Sequence, residues 1–298
     1  MAARKTPARA SEEIELDTGR GRIAGLRWPV EGAPKVLCLH GWLDNAASFA
    51  PLGSSLAGLD VVAMDFAGHG RSYHHLPEAP YYFTEYLWDI DAALDELGWR
   101  GCHLVGHSMG AAAASMYAAA APERARSLTL LDALGPISES PAKLGGRLQK
   151  SLQSIRNGPR PRKPYGSLED MVKARRANSD LPEEAASLIC ERSARQEGDH
   201  FEWTYDPALQ WVSPVLLTEE QALAYLAAIE APVLSITATP FAPFITQQKY
   251  EARAAALSHG HHELWSGHHH LHMDQAPKVA ARLRSFILEQ EARSGTAT

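Results

Sequence analysis

The stretch Cys102-His103-Leu104-Val105-Gly106-His107-Ser108-Met109-Gly110, continuing into the alanine-rich run Ala111 to Ala121, decides the fold. Residues of strand character lead into G-x-S-x-G, and a helical segment follows. Strand, sharp turn and helix in that order are what a nucleophile elbow requires. The two glycines leave room for a turn that lifts the Ser108 hydroxyl above the sheet edge. The helix directs its positive N-terminal end at the reacting oxygen. A bare G-x-S-x-G is a weak signal, and the flanking strand and helix make it specific.

Outward from this turn, short apolar runs alternate with helical patterns, the signature of a parallel α/β sheet. Glu13 to Leu16 and Arg22 to Trp28 read as an opening hairpin. Lys35 to Leu39, Asp60 to Met64, Cys102 to Val105 and Ser127 to Leu131 read as buried strands, and Pro232 to Ala238 and His262 to Trp265 as two more. These make an expected mostly parallel, eight-stranded sheet. Thr84 is placed to cap a helix with Leu87, Ile90, Leu94 and Leu97 on one face, which Gly98 ends. Pro122 stops the helix after the elbow, and Pro277 sits where a last helix begins, with Val279, Leu283, Phe286 and Ile287 as its buried stripe.

Residues 136–226 break this rhythm and read as a helical cap inserted after the sixth strand, between core segments 1–135 and 227–298. Lys143 to Arg176 holds ten basic and two acidic residues, which fits either an anion-attracting entrance or a solvated helical face. Phe201 to Tyr205 alternates like a strand; its aromatics, with Trp211, either line an acyl pocket or pack the cap's own core.

The bulk properties narrow the function classes. With 298 residues, 45% hydrophobic, the chain is long enough for one large core plus a modest insertion. A net charge of −6 gives no footprint for nucleic acid. The sparse set Cys38, Cys102 and Cys190 argues for reduced thiols, and the basic residues Met1 to Ala10 lead into no apolar segment, so a cytoplasmic protein without a signal peptide is expected. No run approaches the roughly 18 apolar residues of a membrane span. The Ala- and Arg-rich composition suggests a bacterial source.

A serine nucleophile needs a base within hydrogen-bond reach, an acid to orient that base, and N–H donors for the oxyanion. The turn Leu39-His40-Gly41-Trp42-Leu43-Asp44-Asn45 follows the third strand and offers the Trp42 backbone N–H; the second donor is the N–H of Met109. The base is expected after the last strand, in Gly267-His268-His269-His270-Leu271-His272-Met273-Asp274. The ending G-x-H-x-x-H-x-[DE] shown by many such enzymes selects His269, with His268 and His270 as register alternatives. Seven of the 14 histidines lie between His259 and His272, but they form no H-E-x-x-H and have no cysteine partner, so neither a metal nor another cofactor is expected. The acid commonly follows the seventh strand, yet Thr237 to Pro243 contains no carboxylate. Either the triad is broken, or the acid is Asp132, which ends the sixth strand 24 residues after Ser108.

With these residues in view, the chain resembles the serine hydrolase-like proteins of the α/β-hydrolase superfamily. Leu37 to Asn45, Val62-Ala63-Met64-Asp65-Phe66-Ala67-Gly68-His69-Gly70-Arg71-Ser72, Gly106 to Gly110 and Gly267-His268-His269 carry the resemblance. It covers residues 35–135 and 230–288. It implies an α/β-hydrolase fold, and related small esterases that draw their acid from the sixth strand support Asp132. Dehalogenases and epoxide hydrolases of this fold use an aspartate where this chain has Ser108. The expected activity is hydrolysis of a small-molecule carboxylic ester through an acyl-enzyme. Thioester or C–C bond hydrolysis with the same triad, and a non-catalytic binding protein on this fold, are the alternatives. Oligomeric state is not legible in the sequence.

Overall fold

Each apolar run read as a strand takes its place in one eight-stranded sheet of the computed structural model, which describes residues 9–77, 79–177 and 179–295. Most of the basic opening segment, residues 1–8, lies outside the described residues. Strands β1 (Glu12–Asp17) and β2 (Arg22–Trp28) form the antiparallel hairpin. They are followed by β3 (Lys35–Leu39), β4 (Asp60–Met64), β5 (Cys102–His107) and β6 (Ala125–Leu131). A short pair, β7 (Ala194–Glu197) and β8 (His200–Trp203), stands apart, and β9 (Val233–Thr239) and β10 (Gly260–Ser266) complete the main sheet. The order is β1-β2-β4-β3-β5-β6-β9-β10, parallel from β4 onward. This is the α/β-hydrolase arrangement, with helices on both faces.

The period of two along each strand sends neighbours to opposite cores. Leu37 and Leu39 join Ile90, Leu94, Ala113 and Tyr117 on one face. Val36 and Cys38 join Phe49, Leu283 and Phe286 on the other. Helices α2 (Glu85–Glu96) and α3 (Met109–Ala120) cover the first face, and α1 (Ala50–Ser55) and α10 (Ala276–Gly295) the second. Burying a Leu or Phe side chain contributes about 1.5–3 kcal/mol, so the central strands are continuous apolar runs rather than alternating ones. The alanines of α3 serve the same packing: Ala111, Ala113, Ala114 and Ala118 are fully buried, and their small side chains let the helix lie close to the sheet.

Thr84 precedes α2 but already has helical backbone angles, φ −65° and ψ −20°, and its side chain makes no cap hydrogen bond. The turn at its C-terminal end is as read: Gly98 takes φ 64°, and Trp99 N–H donates to the Leu94 carbonyl at 2.8 Å. Phe201 to Tyr205 is a strand only as far as Trp203, where β8 ends. All three cysteines are free and buried. Among the described residues no helix is long and apolar enough to cross a membrane.

Between β6 and β9 the chain forms α4 (Leu144–Arg156), α5 (Leu168–Arg176), α6 (Glu183–Ser193), the β7–β8 pair and α7 (Glu219–Ala227). After β9 come α8 (Gln247–Ala256) and, after β10, the single turn α9 (Leu271–Asp274). The insertion has its own small core of Met171, Val172, Leu181, Ile189 and Cys190. Polar ties join it to the sheet layer. Arg192 on α6 reaches Asp65 at 2.8 Å and Glu13 at 2.7 Å, and Asn45 Nδ2 donates to the Ile189 carbonyl at 2.9 Å.

Candidate active site

Ser108 sits between β5 and α3 with φ 52° and ψ −114°, a conformation an L-residue adopts at a cost of about 1–3 kcal/mol. The surrounding backbone imposes it. A Cβ at Gly110 would overlap the Leu39 carbonyl, and one at Gly106 would overlap the Gly110 carbonyl and Ala111, so only glycine lets α3 approach the strands this closely. Ser108 N–H donates to the Leu131 carbonyl at 3.0 Å, which ties the serine to the end of β6.

The next residue of that neighbouring segment is Asp132, which is fully buried and also takes a positive φ, 52°. Its backbone N–H donates to Ile236 at 2.9 Å, and its Oδ1 accepts from the Ala238 N–H at 2.7 Å. The end of β9 therefore supplies one backbone acceptor and one backbone donor rather than a carboxylate. Asp132 Oδ2 lies 2.5 Å from His269 Nδ1, and His269 Nε2 lies 3.0 Å from Ser108 Oγ. An ionised carboxylate only accepts, so Nδ1 carries the proton and Nε2 presents its lone pair to the serine hydroxyl. The three residues read from the sequence thus form one hydrogen-bonded chain at the C-terminal ends of parallel strands.

The register alternatives have other surroundings. His268 is exposed, 3.9 Å from Asp180. His270 is buried and its Nε2 lies 3.1 Å from Asp44 Oδ2. His272 is fully buried, its ring 5.0 Å from that of Phe49 and 4.2 Å from that of His107.

The turn after β3 is held by side chains whose function the sequence motif left implicit. His40 Nε2 accepts from the Phe66 N–H at 3.0 Å and its Nδ1 lies 2.7 Å from the Gly41 carbonyl, fixing this turn to the exit of β4. Asp65 accepts from the Ala46 N–H at 2.6 Å and the Arg71 N–H at 3.0 Å, which explains the aspartate in the Asp65 to Ser72 stretch. The Trp42 and Met109 backbone N–H groups have no intramolecular acceptor among the described residues.

Asp44, in the same turn, is the centre of a second polar cluster. It is buried between His270, His107 and Arg175, the last reaching it from α5. Burial alone would raise the Asp44 carboxyl; His270, Arg175 and His107 outweigh it and hold the group well below the usual carboxylate range. Burial and the neighbouring rings of His272, His269 and His270 hold His107 well below the usual histidine range. Asp44 and its three partners come from four separate segments, so sequence spacing gave no sign of them.

A cleft of about 2250 Å³ opens over Ser108 and His269. The insertion supplies one wall through Trp203, Tyr205 and Trp211; Trp203 also packs against the insertion's core, as does Phe201, which is not part of the cleft's lining. Phe244 stands edge-on to His269 with ring centroids 5.3 Å apart. The basic segment divides: Arg147, Lys150, Lys163, Arg175 and Arg176 line the cleft, and Lys173 pairs with Glu169 on the surface.

The model of the alpha/beta hydrolase fold family matches residues 34–214. A serine hydrolase-like protein of Dictyostelium discoideum is 30% identical over 96% of this chain and 84% of its own. The crystal structure of a hypothetical protein of Pseudomonas aeruginosa superposes with a TM-score of 0.85 at 32% identity, covering 93% of this chain and 99% of that one. A thioesterase domain from the curacin biosynthetic pathway superposes with a TM-score of 0.82 at 26% identity, covering 94% and 99%. Relatives from an amoeba and a bacterium alike leave the compositional suggestion of a bacterial source without support. On the strength of the sequence matches and the shared sheet, this chain belongs to the serine hydrolase-like proteins of the α/β-hydrolase superfamily.

Proposed function

We propose that this hydrolase cleaves carboxylic esters of small molecules through an acyl-enzyme on Ser108. The observation that carries this reading is the continuous chain from Ser108 Oγ through His269 to Asp132, with separations of 3.0 Å and 2.5 Å. In this mechanism Oγ attacks the ester carbonyl carbon as its proton passes to His269 Nε2. The carbonyl oxygen becomes an oxyanion and accepts from the Trp42 and Met109 N–H groups. Collapse breaks the C–O bond, and His269 returns its proton to the leaving alcohol. Water then attacks the acyl-enzyme with His269 again as base, releasing the acid and restoring Ser108. Asp132 stays ionised, holds the tautomer of His269 and stabilises the imidazolium. Residues 136–226 act as a cap that shapes the substrate site.

A second reading, thioester hydrolysis by the same residues, is supported by the likeness to a thioesterase domain at 26% identity. The test is active-site labelling with a fluorophosphonate, followed by turnover of p-nitrophenyl esters of rising chain length beside acyl thioesters. Labelling of wild type but not of Ser108→Ala, with ester turnover, supports the proposal. Thioester turnover without ester turnover selects the second reading, and absence of labelling rejects both.

A further inference from the structure

Asp44, His107 and His270 converge from three segments: the turn after β3, the last residue of β5 and the loop after β10. One ligand-type atom from each lies within 4.8 Å of the other two, and all three residues are buried. Asp44 Oδ2 is 3.1 Å from His270 Nε2 and 3.7 Å from His107 Nδ1.

The hydrogen bonding of this cluster is incomplete at one point. His107 Nε2 lies 2.8 Å from the His269 carbonyl. A carbonyl only accepts, so Nε2 carries the proton and the neutral ring presents a lone pair at Nδ1. That atom is buried and has no hydrogen-bond partner among the described residues. It faces Asp44 Oδ2, another acceptor. Two buried acceptors turned toward each other are unfavourable, and a cation between them satisfies both. The space beside them depends on Gly41, where a Cβ would lie 2.9 Å from Asp44 Oδ2 and 3.0 Å from His107 Nδ1. Arg175 binds the other oxygen of Asp44 and so turns Oδ2 toward the rings.

We propose that Asp44 Oδ2, His107 Nδ1 and His270 Nε2 form a site for a divalent transition metal of the zinc type, and that filling it switches the neighbouring serine site off. Two imidazoles and one carboxylate suit zinc, cobalt or nickel; calcium and magnesium favour all-oxygen sets. His270 binds through the lone pair of Nε2, so the proton that this atom donates to Asp44 leaves it as the metal enters. Metal–ligand bonds of about 2.0–2.2 Å require the three atoms to close in. The closure pulls on His107, whose Nε2 holds the His269 carbonyl, and on His270, the next residue along. His269 then loses its alignment with Ser108, and a displacement of about 1 Å at such a pair costs about 10²-fold in rate. The inhibitory half of this proposal rests on the esterase reading; metal binding does not.

Full-length protein freed of metal with a chelator is titrated with Zn²⁺ against a chromophoric chelator, and with Co²⁺ by its visible absorption. One equivalent is expected to bind. His270→Gln removes a ligand, and Gly41→Ala keeps all three ligands and fills the space; each should weaken binding by more than about 100-fold, and Arg175→Gln by about 10-fold. His261→Ala, at an exposed histidine, should leave it unchanged. Circular dichroism checks that each variant is folded, and if Gly41→Ala is not, His270→Gln decides. One equivalent of Zn²⁺ should slow fluorophosphonate labelling of wild type, with recovery on adding EDTA. No binding, equal binding in wild type and His270→Gln, or loss of binding in His261→Ala overturns the site. Binding without slower labelling overturns the switch. Metal-free protein that never labels overturns the esterase reading and leaves the metal titration interpretable.

Discussion

On the sheet side of the cleft, Ser108 and Asp132 stand at the ends of β5 and β6, strands buried along almost their whole length. Their positions follow from ladder hydrogen bonds and from backbone contacts such as Ser108 to Leu131 and Asp132 to Ile236. On the other side, Trp203 at the end of β8, and Tyr205 and Trp211 in the chain that follows it, line the cleft. That region rests on a small core of its own and on ion pairs, of which Arg192 to Asp65 is buried on both sides. Ser108 and Asp132 are therefore set by the sheet, and the opposite wall of the cleft is docked against that layer. Changes on the first side should cost rate with the fold intact, and changes in the ties of the second should cost stability.

The largest expected effect is that of Ser108→Ala, which should lower kcat/KM by about 10⁴-fold or more and leave the melting temperature near or above that of wild type. Relief of the positive φ is not part of this change, since alanine keeps the same backbone, so a large loss of stability would contradict placement by the sheet. Next is Asp132→Asn. It should lower kcat by about 10²- to 10⁴-fold with KM nearly unchanged, measured on the best ester of the chain-length series. A variant with wild-type kcat would show that the 2.5 Å contact to His269 does not orient the base.

Arg192→Met sharpens the comparison from the other side. It leaves Asp65, fully buried, without its cation, and should destabilise the protein by about 3–5 kcal/mol in urea unfolding. Arg195→Met, at a half-exposed arginine paired with Glu197, should cost less than about 1 kcal/mol. Equal costs would mean that the insertion is not held by its buried tie.

The smallest effect concerns pH. The Arg253 hydrogen bond to Glu219 outweighs burial and, with Ser138 and the charges of Arg253 and Lys249, lowers the Glu219 carboxyl from 4.5 to about 2. A depressed carboxyl contributes stability that is present above the unfolded value and is lost as pH falls through the folded one. The melting temperature of wild type should thus fall between pH about 4.5 and about 2 more steeply than that of Glu219→Gln. Because Glu219 is partly exposed, solvent screens the pair and the difference should be small. Identical curves would remove Glu219 from the ties between α7 and α8.

Much of this was legible because the residues concerned are local to one another or to a strand end. G-x-S-x-G after an apolar run requires no partner from elsewhere to be read as a turn, and the eight apolar runs match the eight strands of the sheet. Thr84 shows the limit of such reasoning: a capping residue type sits in place, but the backbone there is already helical, so the side chain has no cap to make. Asp44 shows a larger one, since its partners lie at positions 107, 175 and 270 and nothing in their spacing announces the meeting.

The amino-acid order by itself determined the alternation of buried strands and helices, the elbow at Ser108, and the absence of a carboxylate after the seventh sheet strand. These depend on local periodicity and on which side chains can fill a turn. Only the tertiary structure decided that Asp132 reaches His269, that Trp203 and Tyr205 face the cleft while Phe201 does not, and that Asp44, His107 and His270 share a buried space. Each of these is a contact between segments far apart in the chain. It exists because the sheet order brings the ends of β3, β5, β6 and β10 to one edge, and that order is set by packing over the whole domain.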